Sequence, residues 1–153
     1  ISQRRARDTR YYCYLETHQR HGLPLDPALV VRCAYSQAAG AEAMRRLLAH
    51  DHPPTAVLAG NDLLAIGALL AAREAGCAVP DDLSIVGIDD IHASNTTTPP
   101  LTTVAKPKYD IGVQAATLLL ERMLGRSDDV PRQTALAGQL QVRATTGPPQ
   151  DAG

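Results

Sequence analysis

The stretch Pro54-Thr55-Ala56-Val57-Leu58-Ala59-Gly60-Asn61-Asp62-Leu63-Leu64-Ala65-Ile66-Gly67-Ala68 decides the fold. Residues 55–59 form a short apolar run of strand length, with Gly60 behind it. Asn61 is a good N-cap for a helix, and the apolar sequence that follows runs on to Ala75 before Gly76 stops it. A strand leading straight into a helix is half of a parallel-sheet unit. The other half comes next: residues 83–88, Leu-Ser-Ile-Val-Gly-Ile, read as a second buried strand and end at Asp89-Asp90.

The same alternation extends both ways. Residues 4–21 predict a helix closed by Gly22 and Pro24, residues 29–33 a strand, and residues 36–49 a helix capped by Ser36. After a Thr-rich loop at 92–100, residues 102–105 predict a strand and residues 109–124 a helix ended by Gly125. Residues 133–136 and 139–142 predict two further strands. The strands are continuous apolar runs, as expected where both faces are covered. The fold class expected is therefore α/β, a three-layer α/β/α parallel sheet. Residues 1–146 form one domain and 147–153 a disordered tail.

Composition agrees. The 153 residues contain neither Phe nor Trp, so the core must come from Leu, Val, Ile and Ala. A net charge of −1 gives no basic face for gripping nucleic acid. The longest apolar run, residues 63–72, is too short to span a bilayer. Cys13, Cys33 and Cys77 are odd in number and widely spaced, which fits a reducing cytoplasm. His50 and His52 sit at a helix end beside Pro53-Pro54; no metal and no cofactor is expected. No nucleophile elbow or Gly-rich phosphate loop is present, and the paired carboxylates at 81–82, 89–90 and 128–129 are sequence neighbours rather than a facing dyad. No enzyme activity is expected.

Ligands of open parallel sheets bind beyond the carboxyl ends of the strands. Asn61-Asp62 and Asp89-Asp90 both fall there. An Asp carboxylate accepts hydrogen bonds and an Asn amide both donates and accepts, a combination suited to a sugar or nucleoside. Asn61 equally suits a plain helix cap and Asp89-Asp90 plain turn chemistry, and these roles are compatible with ligand binding. In the helix after Asn61, eleven of residues 63–75 are apolar or Gly. A sheet covers one side of such a helix. The other side needs a neighbouring helix, another subdomain or a second chain.

Four blocks resemble LacI/GalR-type transcription regulators. They are the stretch quoted above; Gly76-Cys77-Ala78-Val79-Pro80-Asp81-Asp82-Leu83-Ser84-Ile85-Val86-Gly87-Ile88-Asp89-Asp90; Pro99-Pro100-Leu101-Thr102-Thr103-Val104; and Leu140-Gln141-Val142-Arg143-Ala144-Thr145-Thr146. The resemblance implies a type I periplasmic-binding-protein-like fold with a small ligand between two α/β subdomains. It implies that this chain carries mainly the C-terminal one, and that residues 106–132 belong with the N-terminal one. It implies a homodimeric, cytoplasmic regulator that meets operator DNA only through a helix-turn-helix preceding this region, with no membrane partner. Asn61 and Asp89 match effector-contacting positions, and Arg10 falls where the family often has an effector-binding Arg. Cys13-Tyr14 stands where the family usually has Gly-Phe or Gly-Tyr. Leu63, Ile66 and Leu70 are the residues expected at the dimer interface. The alternative is a periplasmic sugar-binding protein of the same fold, which a secretory leader would mark.

Overall fold

The computed structural model describes residues 9–126 and 130–148. Helix α1 spans Thr9–Arg20, α2 Gln37–Leu48, α3 Asp62–Glu74 and α4 Lys108–Met123. Strands β1 (Ala56–Leu58), β2 (Ser84–Asp89), β3 (Thr102–Ala105) and β4 (Gln139–Gln141) form one sheet in that order. β1, β2 and β3 run parallel, with Leu58 opposite Val86 and Asp89 opposite Ala105. β4 joins β3 antiparallel.

Local chemistry sets the helix ends. Ser36 accepts from the Ala39 amide at the start of α2, and Asn61 accepts from the Leu64 amide at the start of α3. Gly22 and Gly76 then leave α1 and α3 with positive φ, a conformation that suits glycine. The start expected for the first helix lies outside the described residues.

The core sits between α3, α2 and one face of the sheet. Ala65, Ala72, Leu83, Ile85 and Leu101 are fully enclosed, with Met44 and Leu69 beside them. α2 and α3 meet backbone to backbone. A Cβ at Gly67 would lie 1.9 Å from the Gln37 carbonyl oxygen, and one at Gly40 2.3 Å from that of Leu64. The C-terminal block is sewn in by Thr145, whose hydroxyl donates to the Ile85 carbonyl and accepts from the Thr102 amide.

Two expected strands are corrected. Residues 29–33 do not pair as a strand. Asp26 accepts from the Ala28 amide and starts a 3-10 turn at Pro27–Leu29, and the chain beyond it runs extended without joining the ladder, leaving β1 at the edge of the sheet. Residues 133–136 form no strand either, since the free edge of β3 is taken by Gln139–Gln141. Cover on the two faces of the sheet is uneven: the successive β3 residues Thr102 and Thr103 are both buried. In β2, Ile85 and Gly87 are buried while Val86 and Ile88 are only half-buried, and α4 has no fully buried residue. The tail expected from 147 is fixed at its first residue, because the Gly147 amide donates to Ser84 Oγ. Residues 149–153 lie outside the described residues.

Candidate functional site

Because β1 and β2 are hydrogen-bonded neighbours running the same way, the segments that follow them emerge at one rim. Asn61 stands at that rim behind β1, and Asp89 closes β2 there. Both are half-buried. Asn61 Oδ1 is committed to the helix cap at 3.0 Å from the Leu64 amide. Among the described residues its Nδ2 carries no hydrogen bond. Asp89 Oδ1 pairs with Lys106 Nζ at 2.5 Å, and among the described residues Oδ2 has no partner.

Arg10 reaches the same rim from α1. Its Nη1 donates to the Gly60 carbonyl at 2.6 Å and its Nη2 to the Tyr35 hydroxyl at 2.7 Å. The guanidinium also lies over the Tyr35 ring, 5.2 Å from its centroid. A hollow of about 350 Å³ opens between the chain at 29–35, α2 and β1. Arg10, Gly60 and Ile88 line it; Asn61 and Asp89 stand next to two of those residues without lining it.

The backbone at the end of β2 is unusual. Asp89 has φ 125° and Asp90 φ 49°, so two successive non-glycine residues occupy positive φ. Such conformations cost on the order of 1–3 kcal/mol each and persist where the surroundings hold them. Arg143 holds Asp90 through a 2.6 Å pair with Oδ1 and donates also to the Leu101 carbonyl at 2.8 Å. Lys108 donates to the Asp90 carbonyl at 3.0 Å.

Sequence reading missed Tyr35, Lys106 and Arg143, which hold the expected residues in place. It also placed Asp62 only beside Asn61, beyond the end of the strand at 55–59. Asp62 is in fact fully buried and accepts hydrogen bonds from Ile91, Ser94 and Thr103. Among the described residues no cluster of His, Cys, Asp and Glu could hold a metal ion. Cys77, away from the rim, has its thiol pushed up by burial and then by the Asp82 charge.

The residues expected at a dimer interface lie on α3. α2 covers part of that helix, as the glycine contacts show, but not Leu63 and Leu70, which are 36% and 56% exposed. Ile66 is half-buried between them, and the three follow helical spacing along one stripe. Among the described residues no helix is long and apolar enough to cross a membrane.

A family model described as periplasmic binding protein-like domain matches residues 1–146. The chain is 43% identical over 113 residues to the HTH-type transcriptional repressor CytR of Escherichia coli (strain K12), covering 74% of this chain and 33% of that protein. It is similar to the crystal structure of a regulatory protein of LacI family from Chloroflexus aggregans, at 33% identity and TM-score 0.80, covering 88% of this chain and 48% of that one. A LacI family transcriptional regulator from Enterococcus faecium, solved with bound ribose, gives 30% identity and TM-score 0.79 over 90% of this chain and 50% of that one. The chain thus spans about a third of the curated relative and half of the solved structures.

Proposed function

Because this chain belongs to the periplasmic binding protein-like domain family in the form carried by LacI-type regulators, we propose that it is the effector-sensing region of a DNA-binding transcription regulator. The effector is a polar metabolite, a sugar or a nucleoside, received at the carboxyl rim of the sheet. The observation that carries this is the position of Asn61 and Asp89 behind two adjacent parallel strands. Asn61 Nδ2 is available to donate, Asp89 Oδ2 to accept, and Arg10 adds a cation held in place by Tyr35. A carboxylate accepting from sugar hydroxyls makes charge-assisted hydrogen bonds. The ribose seen in the Enterococcus faecium regulator is consistent with this ligand class.

On this reading the domain is a receptor and not an enzyme, and it works in the cytoplasm with the DNA. Operator contact is made by a helix-turn-helix preceding it, as the name of the Escherichia coli relative suggests. Of the stretch 106–132, the described residues 106–126 and 130–132 pack with the N-terminal subdomain, and 127–129 lie outside the described residues. The apolar side chains that α4 leaves exposed, Leu119, Leu120 and Met123 among them, support that assignment.

A thermal-shift screen of sugars and nucleosides against the full regulator tests the proposal. A ligand at 100 times its Kd stabilises by about 2.7 kcal/mol, enough to raise the Tm by several degrees. No shift with any member of either class would remove the reading.

Leu63, Ile66 and Leu70 are proposed to meet the same stripe of a second copy. Leu70→Arg should turn a dimer into a monomer in sedimentation equilibrium while costing the fold about 0.5 kcal/mol or less, since Leu70 is exposed. An unchanged dimer mass for the variant would place the interface elsewhere.

A further inference from the structure

Asp62 follows the cap residue Asn61, and no atom of it reaches solvent. The start of α3 is already capped, so capping does not account for a buried carboxylate there. Its contacts lead elsewhere. Oδ1 accepts from Thr103 Oγ1 on β3 at 2.5 Å. Oδ2 accepts from Ser94 Oγ at 2.6 Å and from the Ile91 amide at 2.9 Å. Thr103 Oγ1 in turn accepts from the Asp90 amide at 3.4 Å. Space for the carboxylate exists because residue 87 is glycine: a Cβ there would lie 2.2 Å from Asp62 Oδ1. Burying a carboxylate is unfavourable unless its oxygens are satisfied, and here each oxygen is.

Two groups of this cluster border the positive-φ residues directly: Ile91, which follows them, and Thr103, which accepts from the Asp90 amide. Before them, the β2–β3 ladder places Asp89 opposite Ala105. After them, Asp62 anchors Ile91 and Ser94. An L residue left to itself moves away from such φ values. The turn is therefore held by its surroundings: Lys106 pairs with Asp89, Arg143 and Lys108 grip Asp90, and the Asp62 cluster fixes the chain that follows. We propose that Asp62 is a positioning residue for the ligand-binding carboxylate: through Ile91, Ser94 and Thr103 it holds the Asp89-Asp90 turn so that Asp89 faces the rim. Its role in affinity rests on the ligand reading given above; its hold on the turn does not.

The experiment uses the full regulator and the variants Asp62→Asn, Thr103→Val and Leu69→Ala. Asp62→Asn keeps the shape and turns one acceptor into a donor facing other donors. Thr103→Val removes one link and keeps the experiment decisive if the first variant does not fold. Leu69→Ala is a truncation in the core on the same helix. Amide hydrogen exchange needs no ligand. At Asp90, Ile91 and Ser94 it should quicken at least tenfold in Asp62→Asn, less in Thr103→Val, and no more than globally in Leu69→Ala. Calorimetry with ribose and adenosine should show at least tenfold weaker binding in Asp62→Asn, with Leu69→Ala like the parent. Exchange at 90–94 that is unaltered in Asp62→Asn and Thr103→Val would overturn the proposal, as would parental affinity in Asp62→Asn. If neither probe binds the parent protein while exchange still quickens, the hold on the turn stands on the exchange alone, and the wider thermal-shift screen decides the ligand reading.

Discussion

Asp89→Ala should reduce effector affinity at least 100-fold in the full regulator and leave the domain folded. The size follows from the chemistry removed. Hydrogen bonds to a charged group contribute about 1.5–3 kcal/mol each, so a carboxylate accepting from two hydroxyls accounts for about 3–6 kcal/mol. The variant also leaves Lys106 facing the rim without its anion, which a neutral sugar cannot replace. The fold should tolerate the change because residue 89 joins the sheet through its backbone, and among the described residues its side chain pairs only with the half-exposed Lys106. The φ of 125° suits Ala less well than Asp, a cost to the fold that the thermal melt reads separately from affinity. Isothermal titration calorimetry, with a thermal melt to confirm folding, reads the result. Affinity within threefold of the parent would show that the effector does not use this carboxylate.

Gly67→Ala should be the most damaging single-atom addition in the molecule, costing about 3 kcal/mol or more. The new methyl would have to occupy space 1.9 Å from the Gln37 carbonyl oxygen, and backbone cannot rotate aside as a flexible side chain would. α2 must move off α3, which opens the contact that encloses Met44, Ala68 and Ala71. Overpacking a tight core usually costs 1–3 kcal/mol, and a clash with main chain belongs at the upper end of that range. Ala is the better helix former by roughly 1 kcal/mol, so any sign of stabilisation would be plain. Urea unfolding decides it: a midpoint equal to or above the parent's would mean that the two helices are not packed this closely.

What the sequence revealed and what it hid divide on physical lines. α3 was legible because all its signals are local: an apolar run, Asn61 before it and Gly76 after it. The rim was legible because a parallel neighbour of β1 must present its carboxyl end on the same side. The strand expected at 29–33 failed for the opposite reason. An apolar run states that a segment is buried or extended, and pairing depends on a ladder partner that the run itself does not specify. The supports of the site were hidden as well. Lys106 meets Asp89 only through the register of β2 against β3, and Tyr35 meets Arg10 across a gap of 25 residues. Asp62 was in plain view beside Asn61, but its partners at 91, 94 and 103 belong to other elements, and a buried acid looks in sequence like a surface one.

The glycine contact between α2 and α3 has a mechanical consequence. Ordinary helix pairs touch through side chains that can change rotamer and absorb a small slide. Where main chain bears on main chain, at Gly40 and Gly67, there is no such cushion. The two helices must travel as one stiff lever. The start of α2 at Gln37 bears on α3 at Gly67, between Leu63 and Leu70, and Ser36 there is one residue past the tyrosine that steadies Arg10. A displacement of Tyr35 would therefore pass to the outer stripe with little slack.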